Sequence, residues 1–130
     1  MRTIHVAAAV IRSGDQIFAT QRGYGPFAGG WEFPGGKLEA GETAEQALVR
    51  EIREELNTEI ALGSRILTVE YDYPDFHLSM DCFWCRVVQG NLELLEAEDA
   101  RWLSAQELYS VNWLPADLGL VGEIKEELSR

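Results

Sequence analysis

The sequence predicts an α+β domain in which one mixed β-sheet carries helices on its faces. Three observations lead there. Apolar, strand-like runs recur along the chain. Two segments near Thr43 and Leu118 carry helical apolar spacing. At least one helix separates strands that cannot be joined as a hairpin, so the sheet must mix pairing directions. The length of 130 residues suits one domain spanning 1–130. A domain of this size buries enough surface to fold without staples.

The elements follow in order. Val6–Ile11 and Gln16–Gln21 read as two strands joined by the hairpin signal Ser13-Gly14-Asp15. A glycine-rich loop, Gly23–Gly30, leads to a short strand at Trp31–Phe33, then Pro34-Gly-Gly36 and a loop ending at Thr43. Thr43 to Leu56 is the clearest helix: Thr43 and Gln46 fit a capping box, and Asn57 stands where a helix ends in a left-handed residue. Ile60–Tyr73 and Leu78–Val88 read as long strands, with His77 near the turn between them as a structural histidine. An acidic loop, Glu93–Asp99, precedes a short strand at Arg101–Leu103. Ser104 and Glu107 form a second capping box that opens a short helix, and Leu118–Leu128 reads as the last helix.

Composition narrows the function. The net charge of −11 opposes broad contact with nucleic-acid backbone or an anionic membrane. An anionic substrate needs a local device, such as a metal ion or a few placed cations. The Val6–Ile11 run is too short to span a membrane and has no cleavage pattern, so a cytoplasmic protein without a targeting segment is expected. Cys82 and Cys85, three apart on a strand, point to opposite faces and read as buried hydrophobes in a reducing compartment.

The chemistry concentrates on the central helix. At about 100° per residue, Leu48, Val49, Ile52 and Leu56 form an apolar stripe. Glu51 and Glu55 flank that stripe, with Glu54 just beyond, all within an arc of about 100°. The plain alternative is a solvated acidic face paired with Arg50 and Arg53. It fits poorly, because like charges at this spacing repel and raise one another's pKa unless a cation balances them. Hard cations such as Mg²⁺ prefer such oxygen ligands and keep waters free for phosphate and nucleophile.

Gly36-Lys-Leu-Glu-Ala-Gly-Glu42, followed by Arg50-Glu51-Ile52-Arg53-Glu54-Glu55-Leu56, resembles the box of the Nudix hydrolases. Every charged position of the motif is present. Asn57 replaces its final glycine and Thr58 its aliphatic residue. Trp31–Gly36, Glu70–Asp75 with His77, and Trp113–Asp117 extend the similarity toward the MutT-like branch, which includes 8-oxo-dGTP and CTP pyrophosphohydrolases. The resemblance covers nearly the whole chain. It implies a Nudix-type α/β/α sandwich, dependence on Mg²⁺ (or Mn²⁺), and release of a nucleoside monophosphate and pyrophosphate. Hydrolysis of another diphosphate such as ADP-ribose, and binding without cleavage, remain as alternatives. The expected partner is a nucleotide, with the protein a monomer or homodimer.

By the match, Glu51, Glu54, Glu55 and the Gly36 carbonyl hold metal, and Arg50 positions the carboxylates. Glu42 braces its loop. Glu54, Glu51, Arg50 and Glu96 form the expected catalytic set; the proton acceptor is either a glutamate of the box or one of the acidic loop, with Glu96 the candidate there and Glu98 second. Arg22, Phe33, Lys37, Tyr73 and Asp117 are the expected substrate contacts. Asp117 departs from the branch, where an asparagine reads the base. A carboxylate accepts equally from the amine of cytosine or from the N1 and N2 hydrogens of guanine. A helix-capping role for Asp117 is the plain alternative.

Overall fold

The computed structural model describes all residues, 1–130. Its strands are β1 (Arg2–Ser13), β2 (Gln16–Gln21), β3 (Trp31–Glu32), β4 (Gly35–Lys37), β5 (Glu59–Asp72), β6 (Phe76–Gln89) and β7 (Asp99–Ser104). Its helices are α1 (Ala44–Leu56) and α2 (Pro115–Leu128), with a short 3₁₀ helix at Ala105–Ser110. The strand order is β3-β2-β1-β6-β5, with β4 also pairing β1 and β7 also pairing β2. β1 runs parallel to β6, while β5 and β6 form a long antiparallel hairpin, so the sheet is mixed as expected.

Alternation along β1 builds a core on each face of the sheet. Ala7, Ala9 and Ile11 pack with Leu48, Ile52 and Leu56 of α1. Ala8 and Val10 pack on the other side with Leu120, Val121 and Ile124 of α2. The small alanines let α1 approach β1 closely, while α2 lies mainly over β5. Cys82 and Cys85 fall into opposite cores, as the strand period requires, and burial pushes both thiols up to about 12. Leu48, Ile52, Ile11 and Ile124 are fully buried. Truncating one such residue to alanine costs about 2–5 kcal/mol.

Several boundaries differ from the sequence reading. β1 begins at Arg2, because its first residues pair with Phe76–Leu78 across the sheet. β4 was expected to be loop: glycine has little strand preference, but Gly35–Lys37 pairs with Val6–Ala8. This approach is so close that a Cβ on Gly35, at φ 155°, would overlap the Ala7 carbonyl oxygen. Phe33 lies just outside β3. β6 begins at Phe76, two residues before the expected Leu78, so His77, near the turn as expected, belongs to the strand. The second capping box opens a short helix as expected, of the 3₁₀ type. The last helix starts at Pro115, three residues before the expected Leu118, because proline's fixed φ suits the first helical position. No helix is long and apolar enough to cross a membrane.

Candidate active site

Local chemistry sets the rotation of α1. Thr43 Oγ1 accepts the Gln46 N–H at 3.1 Å, and Gln46 Oε1 accepts the Thr43 N–H at 3.0 Å. Asn57 closes the helix at φ 47°, donating its N–H to the Arg53 carbonyl. With Leu48, Ile52 and Leu56 inward, Glu51 and Glu55 sit at the edge of the core. The Glu51 side chain is 16% exposed and that of Glu54 58% exposed, so Glu54 stands at the outer rim.

Arg50 ties these groups together. Its Nε and Nη2 donate to Glu42 at 2.7 and 2.9 Å, and its Nη1 to Glu51 at 2.9 Å and Glu54 at 3.2 Å. Nη2 also reaches the Lys37 carbonyl at 3.1 Å. Glu42 accepts the Glu39 N–H at 2.8 Å as well, bracing its loop as expected. These donors hold the Glu42 carboxyl at about 2. Glu51 is raised by burial, against the pull of Arg50. Glu55 has no cationic partner. Burial, then the charges of Glu51, Glu96 and Glu32, push it up to about 8, opposed by a hydrogen bond from the Gly35 backbone.

Gly36 packs on this cluster, since a Cβ there would stand 2.5–2.8 Å from the Glu51 carboxyl atoms. With Arg50 drawing Glu51 and Glu54 toward itself, no three acidic, His or Cys side chains stand together at metal-holding spacing. The oxygen-rich donor set and the unbalanced Glu55 nevertheless suit a hard cation.

Glu55 and Glu96 line a trough of about 280 Å³ with Arg22, Gly23, Glu32 and Gly35. The acidic loop thus brings Glu96 across to α1. Glu98 does not line the trough; its N–H donates to the Gln21 carbonyl at 2.9 Å. Arg22 grips Glu32 through two hydrogen bonds of 2.7 and 3.1 Å and donates to the Pro26 carbonyl at 3.1 Å.

Beyond this pair lies a second, more apolar cavity of about 510 Å³, bordered by Phe27, Phe33, Lys37, Tyr73, Met80 and Asp117. Asp117 is only 6% exposed. It lies inside the first turn of α2, with Leu114 at the N-cap, so the capping alternative fails. Its Oδ1 accepts the Phe33 N–H at 3.0 Å, and burial drives its carboxyl up to about 7. Phe33 stacks on Trp113 with ring centroids 4.6 Å apart, and Tyr73 stacks on Phe76 at 5.0 Å. His77 faces neither hollow. Its ring bridges Asp72 at 2.6 Å and Glu70 at 2.8 Å across the β5–β6 hairpin, as a structural histidine should.

Sequence reading missed two residues here. Glu32, which holds Arg22, is signalled only by a charge between two large aromatics. Phe27, which borders the cavity, is signalled by an aromatic after Pro26 in a loop otherwise rich in glycine.

Similar proteins carry the same plan. The model of the NUDIX domain matches residues 1–121. The 8-oxo-dGTP diphosphatase of Escherichia coli strain K12 is 32% identical over 127 residues, covering 96% of this chain and 98% of that protein. The CTP pyrophosphohydrolase of the same strain is 34% identical over 122 residues, covering 93% and 90%. The solution structure of the E. coli ORF135 protein superposes with a TM-score of 0.84 at 32% identity, covering 97% of this chain and 91% of that one. The box on α1, the sandwich fold and the matched span together place the chain in the NUDIX family.

Proposed function

We propose that the chain is a Mg²⁺-dependent nucleoside triphosphate pyrophosphohydrolase. It releases a nucleoside monophosphate and pyrophosphate and clears 8-oxo-dGTP or (d)CTP-type nucleotides from the pool. One observation carries this reading: the carboxylate trough and the aromatic cavity meet at Arg22 and Glu32, so one nucleotide can span both. The names of the E. coli relatives support the same substrate classes.

In this reading Glu51, Glu54, Glu55 and the Gly36 carbonyl hold the divalent ion, with Mn²⁺ a workable substitute. A divalent ion held by these residues would screen phosphate charge and make a water more acidic. Arg50 keeps Glu51 and Glu54 in register through its fixed fork, which a lysine cannot imitate. Glu96 faces the trough from the acidic loop and accepts the water proton. Arg22 exchanges Glu32 for a phosphate oxygen, and Lys37 adds a second cation near the cavity. Phe33 and Tyr73 flank the base, and the free oxygen of Asp117 meets its polar edge. As a carboxylate it accepts from an amine, and as a neutral acid it donates to a carbonyl. The enzyme works in the cytoplasm as a monomer or homodimer.

Incubation with Mg²⁺ and a panel of normal and oxidised nucleotides tests the reading. Pyrophosphate released from a triphosphate supports it. AMP released from ADP-ribose would assign the site to a diphosphate instead, and binding without turnover would make it a sensor.

A further inference from the structure

The loop between β2 and β3 contains a conformational anomaly. Residues Gly25-Pro26-Phe27-Ala28 form a turn closed by the Ala28 N–H on the Gly25 carbonyl at 3.2 Å. Proline holds the second position, and Phe27 holds the third with φ 67°. A turn with proline second and a positive φ third calls for glycine or asparagine at that third place. A bulky aromatic there works against its own Cβ. Glycine is plentiful in this loop, at positions 23, 25, 29 and 30, so the phenylalanine is not there for the turn.

Nor is it there for the core. Phe27 is 47% exposed and belongs to neither buried cluster. Its ring instead stands at the mouth of the larger cavity, with its centroid 5.5 Å from that of Tyr73 and tilted by 54°. Asp117 and Phe33, both buried, line the same cavity. The loop is anchored at its base, where the Arg22 N–H donates to the Gly30 carbonyl at 2.9 Å and the Arg22 carbonyl accepts the Gly29 N–H at 2.8 Å. The Arg22 guanidinium holds its tip through the Pro26 carbonyl. The residue that is strained and half bare is thus held firmly over the opening.

We propose that Phe27 is a specificity-determining residue that covers the nucleobase, stacking on its face while Asp117 reads its edge. This deepens the function proposed above and rests on its placing of the base in the aromatic cavity. Backbone strain that persists in a well-anchored loop is spent on something the relaxed residue would not supply. Here that something is a planar apolar surface, which every base can use through its π-face.

The test compares wild type with Phe27→Gly and Phe27→Trp. Substrates are the preferred nucleoside triphosphate and 2-deoxyribose 5-triphosphate, which has no ring to stack. Phe27→Gly should raise KM for the nucleotide about tenfold at nearly constant kcat, in line with the loss of one stacking partner. It should leave the baseless substrate unaffected. Its Tm should match or exceed that of wild type, because glycine relaxes the turn. Phe27→Trp should restore KM. An unchanged KM, equal losses on both substrates, or a lowered Tm explaining the loss would overturn the proposal. If wild type cleaves no triphosphate, the hydrolase reading fails separately. Equilibrium binding of the same nucleotide to wild type and Phe27→Gly then decides the stacking, and equal affinities or no binding overturn it.

Discussion

Two carboxyl groups on either side of the Arg22–Glu32 pair are pushed toward neutrality, Glu55 to about 8 and Asp117 to about 7, for different reasons. At Glu55, burial combines with three like charges, those of Glu51, Glu96 and Glu32. At Asp117, burial dominates and the Phe33 N–H already works in the opposite sense. A cation entering the trough relieves both of the causes acting on Glu55. At Asp117 a cation is already near, since the Arg22 charge lowers the carboxyl while that of Glu32 raises it, and burial still prevails. The trough therefore answers to positive charge, and the cavity to hydrogen-bonding pattern.

The strongest attempt to break this contrast is Glu54→Gln. The residue is exposed, so the substitution should leave Tm unchanged while lowering kcat by about 10³-fold, the scale of a lost charged group at a reacting centre. Near-normal turnover would remove Glu54 from the residues assigned to hold the ion. Asp117→Ala comes next. It should change relative kcat/KM between guanine- and cytosine-type substrates by roughly 1–3 kcal/mol, the worth of one base-edge contact. Equal losses on every base would show that the cavity does not read the edge.

The pH dependence of stability sharpens the contrast further. Both groups keep a proton in the folded chain where the unfolded chain has lost it. The window runs from 3.8 to about 7 for Asp117 and from 4.5 to about 8 for Glu55. Within it the native state binds more protons, so stability falls as pH rises. These two groups should lower Tm by several degrees between pH 5 and pH 8. Millimolar Mg²⁺ should restore the Glu55 share at pH 8, and Asp117→Asn should restore the other share with no help from metal. A Tm at pH 8 that ignores Mg²⁺ would erase the difference between the two regions.

The smallest effect is expected at Asn57→Gly, outside both hollows. Glycine adopts φ 47° at no cost, so the change should stay within about 0.5 kcal/mol in denaturant unfolding. A larger loss would mean that the 3.1 Å hydrogen bond from Asn57 Nδ2 to Glu93 holds the acidic loop, and Glu96 with it, against α1.

What was legible in the sequence was local. The helix from Thr43 to Leu56, its two caps and the inward bias of Glu51 and Glu55 over Glu54 follow from spacing within a few turns. The alternation that sends Cys82 and Cys85 to opposite cores is equally local. The box motif added the family, because its charged residues recur at fixed intervals within a single loop and helix.

Tertiary structure alone decided the rest. β4 exists only because Gly35–Lys37 finds a partner in β1, and glycine's missing side chain permits the approach. Asp117 and Phe33, 84 residues apart, meet only once α2 is docked on the sheet. The delivery of Glu96 to the trough and the placing of Phe27 against Tyr73 depend on the same closure of distant segments. Caps and helical faces are written in interactions a few residues long. A site built from burial and long-range pairing takes its energies from neighbours that no short stretch of sequence contains.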